Sequence, residues 1–305
     1  MAIYTDLACE ARMLDPDLEG VIEKSEEKDG IRITRIEVRT EEAAKRLGKS
    51  KGRYVSLDLV SERETAAEPF AALIRAIEGE LSPFVKSVGS IGPVLIAGLG
   101  NRAVTPDALG PLTAEKILVT RHVKRYLPDV LADPVVSTSV IAPGVLGSTG
   151  METSELIGSL AERIGPKLVI AIDSLAARDA LRLGASVQIS DAGIEPGAGV
   201  GNLRAGINEK TVGAPVVAIG VPLVVYASTI VGGVLSRMAQ ISGEGAGEAP
   251  LIKLADEVMK GRIESMIVTP KDVDRLVSDM SSVLAEGINR ALFRENYAEL
   301  RRILS

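Results

Sequence analysis

The chain has 305 residues, 46% hydrophobic and 25% charged, with a net charge of −6. That is enough apolar material for one large or two ordinary domains, and too little basic charge to bind nucleic acid through its phosphates. One cysteine (Cys9), one histidine (His122) and no tryptophan exclude an internal disulfide, a Cys/His zinc site and a platform for stacked bases. A Ser-His-Asp triad has to use His122, which sits in the basic stretch Val119-Thr120-Arg121-His122-Val123-Lys124-Arg125. That stretch is expected at the end of a helix, where a cation has a structural use. Carboxylates are therefore the economical candidates for any hydrolytic chemistry, with no metal and no cofactor.

No long apolar segment opens the chain, so no signal peptide is expected, and a lone cysteine suits a reducing cytoplasm. Residues 31–38 alternate with period two and predict a half-exposed strand, as do 54–59. Residues 40–47 read as helix, and 61–86 as mostly helix, with Pro69 and Pro83 near breaks. Pro93-Val94-Leu95-Ile96-Ala97 is a buried strand. It leads through Gly98-Leu99-Gly100-Asn101 to a helix start, with Thr105 as N-cap, Pro106 at the first position and Asp107 in the first turn. Thr269-Pro270-Lys271-Asp272 repeats the cap pattern without the glycines, so a cap alone assigns no role to an acid.

Residues 134–142 predict a strand and 152–164 a helix, with Thr149 and Glu152 at capping-box spacing. Lys167-Leu168-Val169-Ile170-Ala171-Ile172 is a second core strand, ended by Asp173, after which 174–178 turn towards helix; 186–190 form another strand. Residues 214–236 carry no charge and are long enough to cross a bilayer, but Gly220, Pro222, Gly232 and Gly233 interrupt them. They are expected to form a buried strand, a turn at Gly220-Val221-Pro222 and a buried helix. Residues 242–250 form a flexible loop by composition, and 251–260, 270–286 and 288–304 read as helices. Strands alternating with helices predict one α/β domain over 1–305, with a three-layer, mainly parallel sheet flanked by helices. Residues 1–15 form an N-terminal tail and 251–305 a C-terminal helical extension.

Two acids, Asp107 and Asp173, thus stand at the ends of core strands, where open α/β sheets place their ligand sites. Each could equally serve its own helix, but two in one sheet favour an active-site pair. The glycine-rich loops 143–152 and 191–202 match neither a Walker loop nor a dinucleotide fingerprint, and they let a peptide backbone approach closely.

Several ordered blocks resemble the germination protease family of endospore-forming bacteria. They are Gly98-Leu99-Gly100-Asn101 with Thr105-Pro106-Asp107-Ala108-Leu109-Gly110-Pro111, Leu118-Val119-Thr120-Arg121-His122, Pro143-Gly144-Val145 through Gly150-Met151-Glu152-Thr153-Ser154, Ala171-Ile172-Asp173-Ser174-Leu175-Ala176-Ala177-Arg178, Gln188-Ile189-Ser190-Asp191-Ala192-Gly193-Ile194, residues 197–202, and Ile267-Val268-Thr269-Pro270. The resemblance implies an endopeptidase that degrades small acid-soluble spore proteins on germination, in the cytoplasm of the forespore or spore core. It implies a fold similar to the hydrogenase-maturation proteases, a homotetramer made as a zymogen, and Asp107 and Asp173 as the catalytic pair. No nucleic acid or membrane is an expected partner. Because the family cuts within Glu-Phe/Ile-Ala-Ser-Glu-like sequences, Arg102, Arg178 and Arg204 are expected to pair with substrate carboxylates, and Gly144 and Gly199 to admit its backbone. The alternatives are a metal-dependent peptidase of hydrogenase-maturation type and a catalytically inactive spore-protein binder.

Two departures stand out. Family propeptides precede a Thr-Asp-Leu-Ala segment that matches Thr5-Asp6-Leu7-Ala8, before which four residues stand here, and this puts zymogen control in question. The family's Val-Pro-Thr-Val-Val-Asp-Ala reads Val221-Pro222-Leu223-Val224-Val225-Tyr226-Ala227 in this chain. Thr5-Asp6-Leu7-Ala8-Cys9-Glu10 also follows the family's substrate pattern by residue class, so the segment is a candidate occupant of the cleft, or else a fixed tail.

Overall fold

A computed structural model describes residues 4–60, 68–87, 92–131, 135–195, 205–242 and 266–304. The expected strands and helices build one large sheet with helices on both faces. The strands are β1 (Val21–Lys28), β2 (Ile31–Val38), β3 (Gly52–Leu59), β4 (Pro93–Gly98), β5 (Ser137–Ile141), β6 (Leu168–Ala177), β7 (Ser186–Ser190), β8 (Val216–Tyr226) and β9 (Ile267–Val268). They lie in the order β1-β2-β3-β7-β8-β6-β4-β5, with β9 added to the end of β8.

The sheet has two halves. Strands β8, β6, β4 and β5 are parallel, as the alternation of strands and helices predicts. Strands β1, β2, β3 and β7 are joined antiparallel to one another and to β8, so the whole sheet is mixed rather than mainly parallel. Strand β1 is not evident from periodicity, because Glu23, Lys24, Glu26, Glu27 and Lys28 mask its apolar alternation. Its signal was the Asp29-Gly30 pair, both at positive φ in the tight hairpin that leads into β2.

Strand alternation sorts the core into layers. Val94, Ile96, Ile170, Ile172, Val217 and Ile219 face the helices α3 (Glu68–Ser87), α4 (Leu109–Ala114) and α10 (Val273–Phe293). Leu95, Ala97, Val169, Ala171 and Val216 face α7 (Thr153–Ile164) and α8 (Glu209–Val212). On that same side, α1 (Ala8–Leu14) and α2 (Glu41–Leu47) cover β1 to β3. Thr40 caps α2, its hydroxyl accepting from the Ala43 N–H at 3.1 Å.

Several local expectations fail for stated reasons. Asp173 does not end its strand: β6 runs on to Ala177, because β8 continues beside it with Asp173 opposite Gly220 and Ala177 opposite Val225. No helix follows Asp173, which removes its reading as a helix cap. Strand β8 passes unbroken through Gly220 and Pro222, since a bulge at Leu223 absorbs the irregularity and the Pro222 carbonyl accepts from the Gly184 N–H at 2.7 Å. Helix α9 (Ala227–Ser242) then begins at once. Thr149 closes the short helix α6 (Leu146–Thr149), and Glu152 precedes α7 with no side-chain cap bond. His122 lies exposed in the first turn of α5 (Arg121–Tyr126), not at a helix C-terminus. Helix α10 passes through Gly287, which packs on Ile77 of α3, and α11 (Tyr297–Leu304) follows separately. Residues 243–250 and 251–260 lie outside the described residues. No described helix is long and apolar enough to cross a membrane.

Residues 7–10 are built into the molecule. Leu7, Ala8, Cys9 and Glu10 are 0–3% exposed. The Glu10 carboxylate accepts from the N–H groups of Arg178 (2.7 Å) and Asp179 (2.9 Å) and from the Thr5 hydroxyl, with Arg182 Nε at 3.5 Å. Arg182 in turn pairs with Asp58.

Candidate active site

Strand β4 stops at Gly98, opposite Ile172 of β6, and the Leu99 N–H makes one more bond, to the Ile172 carbonyl at 2.8 Å. The chain then reverses at Gly100, whose φ of 107° excludes other residues. A Cβ there would overlap the Asp107 carbonyl and lie 2.9 Å from its Oδ1. The backbone is thus pressed against Asp107, and the Asn101 N–H donates to Asp107 Oδ2 at 2.8 Å. The Asn101 side chain holds the loop by accepting from the Ala103 N–H at 3.0 Å.

Asp107 ends a single 3₁₀ turn, Thr105–Asp107, ahead of α4. Thr105 is the first residue of that turn rather than its cap; Val104 precedes it without a side-chain bond. Cα atoms of the turn come within 8 Å of β6. Asp107 is half-buried; Asp173 is 7% exposed, with its Oδ1 accepting from the Ser174 N–H at 2.8 Å. Asp107 thus follows the end of β4, and Asp173 stands inside the neighbouring parallel strand β6, one residue past the point where β4 stops.

Close packing fixes this arrangement. Gly110 of α4 rests on the strand ends: a Cβ there would overlap the Leu99 carbonyl oxygen and lie 2.5 Å from that of Ile172. Both are backbone atoms that cannot swing away. Gly110→Ala is therefore expected to destabilise the fold by about 3 kcal/mol through overpacking, despite the better helix propensity of alanine. Thermal unfolding measures it, and a melting temperature equal to that of the parent chain refutes the packing argument.

The other candidate residues divide. Arg102 directly follows Asn101, is exposed, and pairs with exposed Glu115 at 3.0 Å. Gly144 lies in the loop after β5, whose Ile141 is opposite Ala97, so the loop rises at the same end of the sheet. Arg178 is half-buried, five residues beyond Asp173 and so about 17 Å further along the strand direction. It is not brought to the two aspartates. Gly199 and Arg204 lie outside the described residues. The positions that press on Asp107 and seat its turn, Gly100 and Gly110, were legible only as glycines within a motif. Their task depends on backbone contacts with Asp107 and Ile172.

The two changed positions of the Val221–Ala227 motif have defined surroundings. Leu223 is the fully buried bulge residue of β8, and Tyr226 packs against Tyr4 with ring centroids 5.1 Å apart. Among the described residues, no three His, Cys, Asp or Glu side chains gather into a group able to hold a metal ion.

The family model described as germination protease matches residues 3–248 and 241–301. The germination protease of Caldanaerobacter subterraneus subsp. tengcongensis is 40% identical, over 96% of this chain and 94% of its own. That of Clostridium perfringens (strain ATCC 13124) is 39% identical, over 95% of each chain, and that of Priestia megaterium 36%, over 96% and 94%. Among solved structures, the [NiFe] hydrogenase maturation protease HycI of Thermococcus kodakarensis KOD1 matches 63% of this chain and 92% of its own, at 15% identity and a TM-score of 0.25. With a family model spanning nearly the whole sequence, the chain belongs to the germination protease family.

Proposed function

We propose that this protease cleaves small acid-soluble spore proteins during germination, with Asp107 and Asp173 activating the water that attacks the peptide bond. The observation that carries this reading is that the turn bearing Asp107 follows the end of β4, while Asp173 stands in the adjacent parallel strand β6 just past that end. Half-buried Asp107 is open to water and serves as base. Asp173, buried within β6, serves as acid. Asp107 takes one proton from water as its oxygen bonds to the scissile carbonyl carbon. Asp173 hands its proton to the leaving nitrogen as the C–N bond breaks, and the proton on Asp107 returns to Asp173 before the next turnover. Two interacting carboxyls titrate as a unit, so these roles describe the pair.

Arg102 and Arg204 bind acidic substrate side chains, and the loops of Gly144 and Gly199 admit the substrate backbone. Charge reversal at the two arginines together is expected to lower kcat/KM for acidic peptides by about 10-fold or more while leaving neutral peptides unaffected. Unchanged discrimination between the two peptide sets removes the arginines from recognition. The chain acts in the spore core as a homotetramer, which sedimentation of the purified protein measures.

The deciding experiment incubates the protein with a small acid-soluble spore protein and maps the cuts by mass spectrometry. Cuts within Glu-Ile/Phe-Ala-Ser-Glu-like segments, persisting after exhaustive chelation, support the reading. Loss of cutting on chelation points to a metal peptidase, and binding without fragments points to an inactive binder.

A further inference from the structure

In a parallel strand, alternate residues turn both N–H and C=O to the same neighbour. On the β4 side of β6 those residues are Ile172, Ser174, Ala176 and Arg178. Ile172 meets Leu99 (2.8 Å). Ala176 meets Asp6 twice: its carbonyl accepts from the Asp6 N–H at 2.8 Å, and its N–H donates to Asp6 Oδ2 at 2.7 Å. The Arg178 N–H meets Glu10 at 2.7 Å. Among the described residues, Ser174 is the one position on this edge whose backbone meets no other segment; its N–H turns back onto Asp173 Oδ1. β4 has ended below it, and Asp6 closes the edge above it.

We infer that this gap at Ser174 seats the backbone of an extended peptide substrate, and that Asp6 is a specificity-determining residue because it ends the seat. The inference rests on the reading of Asp107 and Asp173 as the peptidase pair. An open strand edge is a ready acceptor for an added strand. Asp6 itself demonstrates that this edge takes one, since its N–H pairs with Ala176 as an incoming peptide would. A chain paired at Ser174 runs beside Asp173 and past the turn that carries Asp107. It can extend only until it reaches Asp6, which is anchored by the Gln188 amide on its carbonyl (3.0 Å) and by the Lys49 ammonium on the Thr5 carbonyl (2.9 Å). The segment Thr5–Glu10 is therefore a wall of the cleft and not its displaceable occupant, because Leu7 and Ala8 behind Asp6 are fully buried.

The test uses fluorescein-labelled peptides built on Thr-Glu-Ile-Ala-Ser-Glu and lengthened one residue at a time at each end. Affinity is read by anisotropy on the Asp107→Asn chain, and turnover on the wild-type chain. Affinity is expected to rise with length towards Ala176 and then stop. A chain lacking residues 1–6, combined with Asp107→Asn, loses both Asp6 contacts and uncovers the N–H and C=O of Ala176. It is expected to move the stop outward by two residues and tighten the longer peptides about fivefold. Asp6→Asn, whose amide oxygen still accepts from Ala176, keeps the original stop. A stop at the original length in the shortened chain, an unbroken rise with length in the parent chain, or no binding at millimolar peptide each overturns the seat. If the shortened chain does not fold, the stop in the parent chain decides alone. Length-limited binding without wild-type turnover overturns the peptidase reading and leaves the seat standing.

Discussion

Asp107→Asn and Asp173→Asn are each expected to lower turnover of a spore-protein peptide by about 1,000-fold or more, within the range that general acid–base groups supply when they act in sequence. Both substitutions keep the side-chain volume and one oxygen. In Asp107→Asn that oxygen still accepts from the Asn101 N–H, and in Asp173→Asn it still accepts from the Ser174 N–H. The far-ultraviolet spectrum and melting temperature should therefore stay close to those of the parent chain. An amide cannot take a proton from water or deliver one to a leaving nitrogen. The losses should be strongly non-additive, because removing either member already disables the pair. Substantial turnover in either folded variant disproves the dyad.

The second large effect is on stability. Glu10→Ala is expected to cost about 3–5 kcal/mol, the range for breaking a buried ion pair and leaving its partners unsatisfied. The Glu10 carboxylate is 3% exposed and receives two backbone N–H groups and the Thr5 hydroxyl. Its removal strands those donors and leaves Arg182, 16% exposed at the side chain, with Asp58 as its remaining ion-pair partner. Glu10→Gln keeps an acceptor for the backbone and is expected to cost less than half as much. Urea unfolding of both variants measures the difference. Equal and small losses would assign the pocket to surface electrostatics instead. The same variants test the N-terminal wall, because Glu10 ties α1 to the segment immediately after β6.

The sequence carried much of the fold. The alternation of 31–38 and 54–59, the apolar runs at 93–97 and 167–172, and the helical stretch 40–47 each describe a local preference, and each became the expected element. These are properties that neighbouring residues decide between themselves through side-chain period and backbone hydrogen bonding. The two aspartates stood out because each closes or follows an apolar run. Motif blocks supplied the family, which a model match over 3–248 and 241–301 bears out.

What failed locally was decided by partners far along the chain. Residues 174–177 read as a helix start, yet they extend because β8 offers a ladder on one edge and Asp6 pairs with Ala176 on the other. Gly220-Val221-Pro222 reads as a turn, yet a bulge placed against Leu175 and Ala176 keeps the strand whole. Strand β1, with charges on most of its length, exists because a hairpin with β2 pairs every one of its eight residues. The neighbourhood of Asp107 and Asp173 has the same origin. Residues 66 positions apart share one end of the sheet because β4 and β6 pair in register and Gly110 lets α4 rest on their backbones. Local sequence fixes which way a segment tends to fold; only tertiary pairing, which balances loop entropy against long-range burial and hydrogen bonds, decides which segments meet.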